Sequence, residues 1–174
     1  ALAPRVTRPR DWATTQTAIG HALLAFGERE GKVSNLAAAV AAYELALEEN
    51  TRERAPLSWA GTQSNIGCAL LALSKAQQSV GSVQDGITNL RRAVTSCDAA
   101  LLEYTRERTP FEWAGTHNNL GNALAATAEH QGDIRTLTRT AQAYESTLLV
   151  WTREREQLEW GGTNSNLGMA SKLR

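Results

Sequence analysis

Six arginines carry the most suggestive chemistry in this 174-residue chain, because they recur as one motif: Thr51-Arg52-Glu53-Arg54, Thr105-Arg106-Glu107-Arg108 and Thr152-Arg153-Glu154-Arg155. A guanidinium is a rigid fork of donors that suits carboxylate or phosphate, so a row of them could hold an anion. The same motif supplies Glu53, Glu107 and Glu154. An ionic ladder between successive copies is therefore the competing reading. The three histidines, His21, His117 and His130, form no i, i+4 pair and have no cysteine or carboxylate at metal-ligand spacing, so no metal site is expected. Glu48 and Glu49 are sequence neighbours, diverge around a helix axis and read as solvated surface. The chain lacks a phosphate-binding G-x-x-x-x-G-K-[ST], a dinucleotide G-x-G-x-x-G after a strand, H-E-x-x-H and G-x-S-x-G. No catalytic residue, cofactor or enzymatic activity is expected.

Eighteen basic residues balance eighteen acidic ones. Without excess positive charge to neutralise phosphates, nucleic acid is not an expected partner. The longest apolar runs, such as Leu36 to Ala42 and Ala69 to Leu73, fall far short of the roughly 20 residues that span a bilayer, so no membrane partner is expected either. Cys68 and Cys97 are too few for a disulfide scaffold and read as reduced, structural thiols, in keeping with a cytoplasmic location. Ala1 to Arg10 lacks the apolar stretch of a signal peptide, which by itself leaves export undecided.

The elements that must position these side chains come from an internal repeat. Thr51–Ala69, Thr105–Ala123 and Thr152–Ala170 align without a gap, and ten of their nineteen columns are identical. A degenerate first copy from Thr7 to Ala22 keeps Trp12 and Gly20 in the same relation, so Trp12, Trp59, Trp113 and Trp160 are spaced by 47, 54 and 47 residues. Each period reads as two helices. In the first, Trp59, Ile66, Leu70 and Leu73 share one face. In the second, Leu36, Val40, Tyr43 and Leu47 recur as Leu90, Val94, Cys97 and Leu101, and again as Leu137, Ala141, Tyr144 and Leu148. Pro56 and Pro110 suit the first helical position, and Thr109 to Glu112 has the form of a capping box. Turns are expected around Gly31, Gly81 and Gly132. The second copy is seven residues longer between Gly67 and Ala93, which predicts one extra turn on each of its helices. Predicted helices are 11 to 28, 33 to 54, 56 to 79, 83 to 107, 110 to 130, 134 to 155 and 158 to 173. The arginine motif then falls at the ends of the second helices, where cations suit the helix dipole. The repeated tryptophans follow the apolar phase of the first helix and are expected to pack between repeats, while Trp151 is expected to be partly exposed.

Ile19-Gly20 with Ala39, Tyr43 and Ala46, and Asn65-Ile66-Gly67 with Ala93, Cys97 and Ala100, resemble the tetratricopeptide repeat, whose first helix carries Leu-Gly and whose second carries Ala, an aromatic residue and Ala. Small residues there let helices approach closely, which gives Gly20, Gly67, Gly121 and Gly168 a packing role. The third copy departs from the pattern, with Thr140 and Thr147 in place of the alanines. The period exceeds the family's usual 34 residues, and the closer likeness is to its extended, kinesin-light-chain-like branch. The resemblance implies that asparagines of the first helix hold a bound peptide backbone. By position these are Asn65, Asn119 and Asn166, with Ala18 in the first copy. An amide donates and accepts, so such a ladder can bind peptide units of any sequence. Alternatively each asparagine hydrogen-bonds a neighbouring repeat, and both uses can coexist. One helical step away lie Ser64, Asn118 and Ser165 on one side and His21, Cys68, Asn122 and Met169 on the other, as candidates for side-chain specificity.

The sequence thus predicts a single all-α repeat domain, an α-solenoid of antiparallel hairpins with about seven helices. Its copies are 7–50, 51–104 and 105–151, with a partial fourth at 152–174, and the near-complete fourth motif sets the expectation of a longer array. The expected function is a protein-interaction scaffold that binds an extended peptide or a partner's helix in a concave groove. The alternative is a regulatory sensor in which a small anionic ligand controls an effector domain elsewhere. Self-association through the open solenoid end is a further expectation.

Overall fold

A computed structural model describes residues 5–131 and 133–173. Seven helices, and no strand, are found among the described residues. They are α1 (Pro9–Glu30), α2 (Val33–Leu47), α3 (Pro56–Ser79), α4 (Val83–Ala100), α5 (Pro110–Gln131), α6 (Ile134–Leu148) and α7 (Gln157–Leu173). The chain divides into two compact units, Ala1–Glu103 and Tyr104–Arg174. In the first, α1 packs on α2, α2 on α3 and α3 on α4; in the second, α5 packs on α6 and α6 on α7. None of the described helices is long and apolar enough to cross a membrane.

The period-3.6 stripes become the two cores. In the first unit Leu36, Val40 and Tyr43 of α2 are buried with Ile66, Leu70 and Leu73 of α3 and Leu90 and Cys97 of α4. In the second, Leu120 and Leu124 of α5 meet Leu137, Ala141 and Tyr144 of α6. The close approach expected at the small residues is present. A Cβ on Gly20 would stand 2.5 Å from the Tyr43 ring, one on Gly121 2.6 Å from the Tyr144 ring, and one on Gly67 2.6 Å from Cys97 Sγ. Gly168 departs from that expectation, with nothing within 4 Å of its Cβ position. In the other copies the residue that fills this space comes from the following helix, and α7 is the last described helix. Thr140 and Thr147, in the alanine columns, are fully buried and satisfied. Thr140 Oγ1 donates to the Thr136 carbonyl, and Thr147 Oγ1 donates to Ala143 and, across the hairpin, to Ala114.

Helix starts agree with the expected positions to within two residues, whereas the second helix of each pair ends seven residues early, at Leu47, Ala100 and Leu148. The arginine motif therefore lies in a connection, not at a helix C-terminus. Its threonine organises a single uncontinued turn, in which the Thr51, Thr105 and Thr152 carbonyls accept from Ala55, Thr109 and Glu156 at 2.9 Å. The Thr51 and Thr105 hydroxyls also accept from the Arg54 and Arg108 amides, competing with helical bonding. Ala55, ahead of Pro56, is held out of the α region at φ −152°, as the proline ring requires. The capping box expected at Thr109 does not form, because the Thr109 hydroxyl exchanges bonds with the Thr105 backbone.

Gly31 and Gly81 turn the hairpins at φ +63° and +86°, values that favour glycine. Gly132 lies outside the described residues. The seven extra residues of the second copy do not add one turn to each helix. Relative to α1 and α2, two extend α3, one enters the Gly81 turn and four lengthen α4 ahead of Ala93. The added length carries its own polar bonds, with Asn89 Nδ2 donating to Gln77 Oε1 and Gln78 Nε2 to Ser74 Oγ.

Candidate functional site

The asparagines come together in pairs with residues of the preceding first helix. In the first unit, Asn65 Nδ2 of α3 lies 3.1 Å from His21 Nε2 of α1. In the second, Asn166 Nδ2 of α7 donates to Asn122 Oδ1 of α5 at 3.4 Å. Both bonds span 44 residues, three short of the 47-residue repeat. Each therefore joins the residue just after the conserved-column glycine, His21 or Asn122, to the asparagine of the next copy. Asn118 Oδ1 accepts from Thr163 Oγ1 at 3.1 Å, a further bond between α5 and α7. Asn65, Asn119, Asn122 and Asn166 are all half-buried. Asn119 makes no side-chain hydrogen bond among the described residues, so its amide keeps its full donor and acceptor capacity. Ser64 and Cys68 are half-buried on α3, Met169 is exposed on α7, and Ala18 stands exposed on α1.

Two tyrosines lie behind these pairs, and sequence reasoning assigned them to the core alone. Tyr144 OH donates to Asn122 Oδ1 at 2.9 Å. Burial pushes its hydroxyl up to about 12, with the nearby Asn166 amide acting in the opposite sense. Tyr43 occupies the same place in the first unit, edge-on to His21 with ring centroids 5.5 Å apart. Its hydroxyl is buried without a hydrogen-bond partner, and burial raises its pKa, with smaller contributions from Cys68 and Glu28. The difference follows from one residue. Asn122 offers a carbonyl oxygen to Tyr144, whereas the accepting nitrogen of His21 is engaged with Asn65.

The arginine motif is used structurally to a large extent. Arg52 donates to Glu103 at 2.7 Å and its guanidinium carbon sits 5.5 Å from the centroid of the Trp59 ring. Arg5 bonds Glu49 at 2.9 Å and covers Trp12 at 4.9 Å, while Arg54 bonds the same Glu49 at 3.1 Å. Arg153 covers Trp160 at 6.0 Å. Trp12, Trp59 and Trp160 are thus partly exposed rings roofed by arginine, whereas Trp113 packs edge-on against His117. The signal for this was present in the sequence as an arginine seven residues before each tryptophan: Arg5, Arg52, Arg106 and Arg153. Arg106 shows what the acidic partner contributes. Val150 stands where the other copies have Glu49 and Glu103, and Arg106 reaches only the Leu149 carbonyl at 3.4 Å.

Among the described residues no three His, Cys, Asp or Glu side chains could share a metal ion. Cys68 and Cys97 are free, and burial raises both thiols, Cys97 to about 12, which makes them poor nucleophiles. The arrangement offers half-buried amides and hydroxyls along the first helices, a chemistry of neutral hydrogen bonding. No family model, curated protein or solved structure matches the chain.

Proposed function

We propose that this chain is a tetratricopeptide-like helical repeat whose first helices hold extended peptide segments of a partner protein, through the amide of Asn65 in the first unit and those of Asn119 and Asn166 in the second. The observation that carries this reading is the recurrence of one device in both units, an asparagine bridged to the preceding first helix across 44 residues and left half-buried. Bridging uses one donor of each amide and leaves a second N–H and the carbonyl oxygen for a peptide unit. Asn119, with no internal bond, has the most capacity to offer. The anion-sensor reading is less favoured, because Arg52, Arg54, Arg106 and Arg153 already have carboxylate, carbonyl or aromatic partners.

Selection from a random dodecapeptide library on the wild-type chain tests this reading. Enriched peptides are expected to lose about tenfold in affinity on Asn119→Ala, the loss of roughly one or two hydrogen bonds, with no change in melting temperature. Peptides that bind Asn119→Ala and Asn65→Ala as tightly as the wild type would refute it, as would a library yielding no binder.

A further inference from the structure

The second unit holds an open cavity of about 680 Å³ bounded by α5, α6 and α7. Ala125 and Ala126 of α5, Leu137 of α6 and Met169, Ala170 and Leu173 of α7 supply its apolar walls. Met169 and Leu173 are 57% and 69% exposed, one turn apart on the face of α7 that also carries Asn166. On α5 the lining residues follow the same offsets, with Asn122 one turn before Ala125 and Ala126 and the exposed carboxylate of Glu129 one turn beyond. Two parallel stripes result, each with an asparagine at one end and apolar side chains along its length.

The polar end has a defined polarity. Asn122 Oδ1 accepts from both Tyr144 OH and Asn166 Nδ2, which occupies both of its lone pairs and leaves its own amide N–H groups to donate elsewhere. Asn166, having donated one N–H, keeps Oδ1 as an acceptor. A fixed donor beside a free acceptor is the complement of a peptide unit, whose carbonyl accepts and whose N–H donates. Glu129 is the one charged side chain among the lining residues, so the walls favour an apolar occupant and disfavour an anionic one. In the first unit the corresponding space beside Leu36 is smaller, about 320 Å³, and is lined in part by Glu28 and Lys75.

We propose that this cavity is a specificity pocket for one large apolar side chain, of leucine or phenylalanine type, on a bound peptide whose adjoining peptide unit is held by Asn122 Nδ2 and Asn166 Oδ1. This rests on the peptide-binding reading above and adds to it where the sequence preference resides.

The test is an amide chemical-shift titration with two blocked tripeptides, acetyl-Ala-Leu-Ala-amide and acetyl-Ala-Ala-Ala-amide, and with isopentanol, which has the side chain without peptide units. The leucine peptide is expected to shift amides in 122–129 and 166–173 and to bind about tenfold more tightly than the alanine peptide, as burial of the extra carbons requires. Met169→Ala, at an exposed position that leaves folding intact, should reduce that preference, and Ala126→Phe, which places a ring between the apolar walls, should reduce it further. Equal affinity of the two peptides at these amides would overturn the pocket while leaving peptide binding standing. A leucine preference unchanged in both variants would likewise overturn the pocket. Isopentanol binding as tightly as the leucine peptide would overturn the role of the asparagines, and shifts from neither peptide at either asparagine pair would overturn both readings.

Discussion

Tyr43 and Tyr144 occupy equivalent places behind the asparagine pairs yet differ in one bond, so deleting their hydroxyls should have opposite effects. Tyr144→Phe removes a 2.9 Å bond to Asn122 whose net worth is about 1 kcal/mol. Asn122 Oδ1 keeps the weaker contact from Asn166, so the loss should not exceed about 1.5 kcal/mol. Tyr43→Phe removes a hydroxyl that is buried and unpartnered, whose lost solvation costs about 1–3 kcal/mol. The ring packed against Gly20 stays, so Tyr43→Phe should be neutral or stabilising by about 1 kcal/mol, and the two substitutions should differ by about 2 kcal/mol. His21→Asn supplies the missing acceptor in the manner of Asn122 and should stabilise by about 1 kcal/mol, a gain that Tyr43→Phe must erase in a double-mutant cycle. The tyrosines lie in different compact units, so a single melt averages over both. Native-state hydrogen exchange at the amides of α2 and α6 reads each unit by itself. Equal destabilisation by the two Tyr→Phe substitutions would show that the Tyr43 hydroxyl has a bonded partner, and the reasoning would fail.

Three other outcomes are expected. Val150→Glu should restore the carboxylate that Arg106 lacks and stabilise the second unit by roughly 0.2–1 kcal/mol, a gain that fades in high salt and is read by urea unfolding at two ionic strengths. Gly121→Ala drives a Cβ to 2.6 Å from the Tyr144 ring and should cost about 1–3 kcal/mol by overpacking, whereas Gly168→Ala, with open space around it, should stabilise α7 by roughly 0.5–1 kcal/mol. Hydrogen bonds from Arg5, and next from Arg54, hold Glu49 below its ordinary value of 4.5. Its depressed folded-state pKa means that its stabilising contribution is complete above pH 4.5 and is lost as pH falls through the lower, folded value. Acid titration of stability should accordingly be shallower in Glu49→Gln, and an unchanged acid limb would refute the pairing.

Helix starts were legible in the sequence because proline and the tryptophan period mark them locally, and α3 is found at its predicted bounds, Pro56 to Ser79. The ends of the second helices were not, because arginines in a last helical turn and arginines in a threonine-organised turn look alike until the Thr51 and Thr105 carbonyls are seen to bond the residue before each proline. The amide positions Asn65, Asn119 and Asn166 could be read from the repeat. Their partners could not, since each bond runs across 44 residues while the repeat aligns residues 47 apart. The Tyr43 and Tyr144 hydroxyls escaped notice because an aromatic residue in an apolar column signals burial and says nothing of where its oxygen points.

The threonine turn also divides the chain into parts that tolerate length change and parts that do not. Thr51, Thr105 and Thr152 each stand five residues before the first residue of the following helix, although the hairpins they connect differ by seven residues. One residue added inside the Thr51 or Thr152 joint would break the i to i+4 bond that closes the turn and shift where the next helix starts. One residue added at the Gly31 or Gly81 tip changes only where the backbone reverses. Within each unit the joint therefore acts as the clock of the repeat, setting where the next helix begins, while the tips are free to grow, shrink or accept inserted sequence.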